Sequence, residues 1–147
     1  MPSVLPIVAT DGLEALVAFY RDRLGFAVTF EMDGPDGELH TVTLELEGTQ
    51  IMFTEARFGW VAPRALDPTG LILSFEVADV DAHHAAVTVH AEVEITDPLS
   101  DEFWGDRLYS VLDPRGLKLT FLTHTGRTVA PPDGYDVRMR EQLSSRP

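Results

Sequence analysis

Phe103-Trp104-Gly105-Asp106-Arg107-Leu108-Tyr109-Ser110-Val111-Leu112-Asp113-Pro114-Arg115-Gly116-Leu117-Lys118-Leu119-Thr120-Phe121 is the stretch that decides the fold. It reads as two strands, Arg107 to Leu112 and Leu117 to Thr123. They are joined by a turn in which Pro114 fixes φ and Gly116 is free to take a positive φ. The pattern is a β-hairpin, and it has an echo upstream. Shifting the chain by 68 positions lays Leu5 on Leu73, Asp11 on Asp79, Leu44 on Leu112, Gly48 on Gly116 and Phe53 on Phe121. One offset serves a helix start and a hairpin turn alike, so the chain is expected to be built as two like halves.

Val4 to Ala9 reads as a short apolar strand. Asp11 then stands as an N-cap with Glu14 in capping-box spacing, and Leu13, Leu16, Val17, Tyr20 and Leu24 recur at helical intervals up to the stop at Gly25. Phe26 to Met32 and Leu39 to Leu46 are strands around an Asp36-Gly37 turn, and Glu47-Gly48-Thr49 turns the chain into Gln50 to Glu55. The pattern fails between Ala56 and Gly70, where Phe58 and Trp60 lie in a linker; Trp60 is either a lid over a cavity or a hydrophobic plug. Leu71 to Val77 reopens the strand pattern, and Asp79 caps a second helix reaching about Val89. Ala91 to Thr96 is a further strand, and Asp97 to Phe103 reads as the loop that delivers Trp104. Tyr135 to Leu143 is patterned for a short helix.

The length of 147 residues suits one domain, or two small halves sharing a core. The absence of Cys removes disulfides, thiolate nucleophiles and sulfur metal sites, in keeping with a cytoplasmic location. A formal charge of −13 argues against nucleic acid and anionic membranes as partners; it either attracts a cationic small molecule or serves only to keep the chain in solution. No apolar run is long enough to span a bilayer. His83 and His84 point about 100° apart on a helix, and nothing beside His83 and His90 completes a ligand set, so these histidines are read as solvated or packed. There is no G-x-S-x-G nucleophile elbow and no phosphate-cradling glycine loop.

Trp104-Gly105-Asp106-Arg107 followed by Asp113-Pro114-Arg115-Gly116 and an alternating strand resembles the glyoxalase, bleomycin-resistance and extradiol-dioxygenase group, the vicinal oxygen chelate superfamily, over roughly Val4 to Thr123. The resemblance implies an α+β fold of two tandem βαβββ modules, whose eight strands form a curled mixed sheet around a cleft with the helices outside. It divides the chain into one domain over 1–123, with module one at 1–56, a linker at 57–69 and module two at 70–123, and a tail at 124–147. In the metalloenzymes of that group, His, Glu or Gln from the first and last strands of each module hold a divalent metal. Carried over position by position, those places are Val4, Met52, Ile72 and Thr120, none of which is a usable ligand.

No metal, no cofactor and no catalytic residue is therefore expected. The resemblance is closest to the bleomycin-resistance branch, which implies a homodimer that traps a small aromatic or cationic, antibiotic-like compound in a cleft at the interface. Trp104, Tyr109, Trp60, Phe58, His40, Met52, Ile72 and Thr120 are the expected ligand-binding residues, with Ser74 and Asp106 as further polar groups; Phe30 and Phe53 are assigned to the core. The alternative is a lyase, isomerase or dioxygenase of the same superfamily, metal-dependent or cofactor-free.

Overall fold

A computed structural model describes residues 4–58 and 70–138. Strand β1 (Ile7–Thr10) leads into helix α1 (Leu13–Asp22), followed by β2 (Ala27–Asp33), β3 (Leu39–Leu46) and β4 (Thr49–Glu55), then a 3-10 turn at Ala56–Phe58. The second half repeats the series with β5 (Ile72–Glu76), α2 (Val80–Thr88), β6 (Glu94–Asp101), β7 (Asp106–Leu112) and β8 (Lys118–His124). Each half forms a four-stranded mixed sheet, ordered β1-β4-β3-β2 and β5-β8-β7-β6, with the outer strand parallel to its neighbour and the rest antiparallel. The fold class is α+β, a tandem pair of βαβββ modules with curled sheets.

The α1 stripe is buried as its spacing requires: Leu13, Leu16, Val17, Tyr20 and Leu24 lie in one cluster with Val42, Leu44, Ile51 and Phe53 of their own sheet. The cluster continues into Phe75, Tyr109, Val111, Leu119 and Phe121, so the two modules share a core. Phe26 bridges them, packing edge-on against Tyr20 and Phe75 with ring centroids 5.2 and 5.1 Å away. Asp113 of the Asp-Pro-x-Gly turn ties the same seam. It is buried; Oδ1 accepts the N–H groups of Arg115 and Leu117, and Oδ2 accepts the Tyr20 hydroxyl at 2.9 Å.

Three local expectations are corrected. Asp11 does not cap α1: Gly12 takes the N-cap in the left-handed region, and the Leu13 N–H is bonded to Glu55 Oε2 at 3.0 Å. Asp79 does cap α2, its Oδ1 accepting the Ala82 N–H at 3.0 Å. The expected loop from Asp97 is strand as far as Asp101, with Pro98 inside it; β6 is a sheet edge with register shifts on both sides of Asp97, a place where the missing N–H is tolerated. Phe30 is 47% exposed rather than core. A bulge at Thr29 puts Val28 opposite buried Leu44 but Phe30 opposite Thr43, on the other face. In the tail, Tyr135 to Arg138 is irregular, and the rest of the helix expected there lies outside the described residues.

Candidate functional site

Residues paired directly across strands share a sheet face. In module one, Phe53 pairs with Val8 and Val42 on the helix side, which leaves Met52 with Ile7 and Thr43, and Thr54 with Ala9 and Thr41, on the opposite face. In module two, Phe121 pairs with Phe75 and Tyr109 on the helix side. The opposite face carries Lys118 with Ile72 and Leu112, Thr120 with Ser74 and Ser110, Leu122 with Glu76 and Leu108, and His124 with Asp106. These two helix-free faces are the candidate site.

The same pairings correct the repeat. Val8 and Phe75 are 67 residues apart, whereas Phe53 and Phe121 are 68 apart. The extra residue sits in the second hairpin turn: two residues separate the Leu46–Thr49 pair, while three lie between Asp113 and Leu117, whose backbones are hydrogen-bonded. An offset of 67 applies before the turn and 68 after it. Leu5, not Val4, is thus the counterpart of Ile72, and Val4 precedes β1 and is 90% exposed.

The faces differ in chemistry. Module one presents a hydroxyl chain: buried His40, the extra residue of a β3 bulge, donates from Nδ1 to Thr41 Oγ1 at 2.6 Å. Thr41 donates on to Thr54 Oγ1, and Thr54 donates to the His40 carbonyl. Half-buried Met52 and exposed Ile7 and Phe30 complete it. Module two has the buried Ser110 and Thr120 hydroxyls bonded at 2.8 Å, and Lys118 paired with Asp97 at 2.7 Å. At its far end, Asp106 binds His124 Nδ1 at 2.5 Å through one oxygen and the Trp104 indole N–H at 2.8 Å through the other, while His124 Nε2 lies 3.3 Å from Glu76. The Asp106 carboxylate, with help from Glu76, holds the His124 pKa above its ordinary value.

Of the expected binding residues, Met52, Ile72 and Thr120 lie on these faces, His40 is buried beside Thr41, and Trp104 is half-exposed at the His124 end. Tyr109 is instead fully buried on the helix side. Its hydroxyl donates to His83 Nδ1 at 2.6 Å, and His83 Nε2 donates to the Leu24 carbonyl at 2.9 Å, so this pair is a tie between modules. Burial raises the Tyr109 pKa and lowers that of His83. Trp60 lies outside the described residues, as does the side chain of Phe58. Sequence reading missed His124 as the partner of both Asp106 and Glu76; counting by twos along β8 puts His124 on the face of Thr120, but its partners lie on β7 and β5 and are known only from the strand pairing.

A groove of about 390 Å³ is lined by the segment that precedes β1, the β3–β4 turn and β5, with Leu5, Pro6, Gln50, Leu73, Ser74 and Phe75 among its walls. A divalent metal does not fit the donors here. The four positions at which the resemblance would place ligands are Leu5 (or Val4), Met52, Ile72 and Thr120, which offer no imidazole and no carboxylate. Among the described residues, no three His, Asp or Glu side chains are grouped to hold an ion elsewhere.

Residues 4–121 match the family model of the Glyoxalase/Bleomycin resistance protein/Dioxygenase superfamily. An uncharacterised protein of Mycobacterium tuberculosis (strain H37Rv) is 27% identical over 120 residues, spanning 78% of this chain and 70% of that one. Among solved structures, TioX from Micromonospora sp. ML1 superposes with a TM-score of 0.68 at 23% identity, covering 88% of this chain and 99% of its own. TnmS3, an antibiotic binding protein from Streptomyces sp. CB03234, does so with 0.65 at 23% identity, covering 84% and 97%. The chain belongs to the glyoxalase/bleomycin resistance protein/dioxygenase superfamily.

Proposed function

We propose that this chain is a metal-free binding protein of the bleomycin-resistance type, which sequesters an aromatic or cationic, antibiotic-like compound in a cleft completed by a second copy of itself. The observation that carries the reading is the donor set. Where the superfamily's metalloenzymes place ligands, this chain has aliphatic side chains, a thioether and one hydroxyl, so those positions are suited to contact and not to Lewis-acid chemistry.

Dimerisation is supported by the edges. Among the described residues β1 and β5 each pair on one side only, and Leu5, Ile7, Leu71 and Ile72, in or just before these strands, are exposed. Trp104 supplies a flat, half-exposed ring; stacking or cation–π contact on such a ring is worth about 0.5 to 2 kcal/mol. Net charge favours a cation. The binding domain is 1–123, with modules at 1–56 and 70–123 joined by 57–69 and followed by the tail at 124–147, whose first residue closes β8, and the absence of Cys suits a cytoplasmic setting.

A second reading, a cofactor-free lyase or isomerase, is favoured by one feature: the Asp106–His124 pair on an open face has the geometry of a base and its orienter. A thermal-shift screen against cationic glycopeptides, quinones and other aromatic antibiotics tests the first reading, because a ligand that binds only the folded state raises Tm. The expected result is a hit recovered unchanged after incubation, with the shift diminished in Trp104→Ala. A hit returned as a converted product would favour the enzyme, and a hit undiminished by Trp104→Ala would displace the site.

A further inference from the structure

The loop between β6 and β7 is held from two sides. From the tail, the Thr125 and Gly126 N–H groups and the Thr125 hydroxyl bond to the Gly105 carbonyl, and the Val129 N–H bonds to the Phe103 carbonyl. Gly105 has φ of +103°, and a Cβ there would come within 3.3 Å of Thr128, so loop and tail fit closely. From the sheet, the Trp104 side chain is held at its N–H by one oxygen of Asp106, whose other oxygen is taken by His124. Asp106 is mostly shielded, with 15% of its side chain exposed, whereas His124 and Glu76 are open to solvent. The Phe103 ring packs edge-on against the indole with centroids 4.9 Å apart.

We propose that Asp106 and His124 are positioning residues for Trp104: the carboxylate bridges imidazole and indole and fixes the ring at the end of the open face of module two, in an orientation coupled to the protonation of His124. The charged groups facing His124 are Asp106 from β7 and Glu76 from β5, and the tail meets the loop through the backbone and hydroxyl contacts above. With both ring nitrogens facing carboxylates, the doubly protonated imidazolium satisfies both. Loss of its proton leaves one N–H for two acceptors and adds net negative charge beside the indole bond. The elevated pKa that Asp106 and Glu76 give His124 places this change above the ordinary histidine value. The inference rests on reading Trp104 as a ligand-contacting ring only for its purpose, since the coupling itself is measurable without ligand.

The test is the Trp104 indole N–H resonance, followed by NMR from about pH 5 to 9 across the range of histidine titration, in full-length protein carrying Trp60→Phe. The expected result is a single shift with a midpoint above about 6.5. In His124→Gln, which retains a donor but does not titrate, the resonance should be flat with pH. In Asp106→Asn it should move toward the position of a solvent-exposed indole. A pH-independent resonance in the parent, a midpoint that survives His124→Gln, or no change in Asp106→Asn would overturn the proposal. His124 is exposed, so its variant tests the coupling even if Asp106→Asn fails to fold.

Discussion

Leu13 opens the first helix and Val80 the second, and in each module the N–H of that residue is bonded to a side chain at the end of the last strand, Glu55 in one and Thr123 in the other. Val8, Val42 and Phe53 on one helix-bearing face answer to Phe75, Tyr109 and Phe121 on the other. The opposite faces do not correspond in this way. Module one presents threonines, Met52 and Ile7, while module two presents Lys118, Glu76, Asp106 and His124. The packed sides are similar because both must bury a helix against a sheet; the open sides carry no such requirement, and their chemistry has separated.

That comparison is most sharply broken in the core. Phe53→Ala and Phe121→Ala occupy matching, fully buried positions, so each should destabilise by about 3 to 5 kcal/mol, read by chemical denaturation. A loss several times larger in one than in the other would show that the shared core is not evenly divided. Next comes the turn that only module two elaborates. Asp113→Ala strands two backbone N–H groups and the Tyr20 hydroxyl, and a loss of about 2 to 3 kcal/mol is expected, whereas Tyr20→Phe, which removes one donor, should cost about 1 kcal/mol. Equal losses would mean that the seam contact, not the turn, is what Asp113 maintains.

The helix starts give a smaller contrast. Asp79→Ala should cost about 1 kcal/mol as a lost N-cap, and Asp11→Ala close to nothing, because Gly12 occupies that position in α1. The smallest effect is in pH dependence, and the two histidines of module two run in opposite senses. Burial depresses the pKa of His83, so the stability it contributes is complete above the unfolded value of about 6.5 and is lost as pH falls below it toward the depressed folded value. His124 is raised, so its contribution is complete below about 6.5 and is lost as pH rises through its folded pKa. Denaturation midpoints across this range should show the acid-side loss flattened in His83→Gln and the alkaline-side loss flattened in His124→Gln.

Much of the architecture could be read from side-chain periodicity. The α1 stripe, the Asp79 cap and the Asp113-to-Gly116 hairpin are set by local chemistry, and each is where the pattern puts it. What was hidden depended on single-residue insertions. The bulges at Thr29 and His40 and the longer turn at Pro114 each change which residues share a face, and a strand's pattern does not reveal an extra residue until its partner is known. For that reason the alternation of β2 points Phe30 to the core, and a single offset of 68 lays Val4 on Ile72 in place of Leu5 and Asp11 on Asp79 in place of Gly12. Tyr109 was expected in a cleft because an aromatic in an alternating strand suits either side, and only its pairing with Phe121 places it with the helix. The His124, Asp106 and Glu76 grouping draws on three separate strands, so no local motif announced it.

The four positions that hold metal in the superfamily's metalloenzymes are here Leu5, Met52, Ile72 and Thr120, none of which is a metal donor. Their inability to hold an ion is tested most directly by measuring bound divalent ions in the purified protein by elemental analysis, after equilibration with zinc, nickel, manganese and iron(II). The account predicts no ion at stoichiometric level. One ion per chain, released by substitution at Met52 or Thr120, would contradict it.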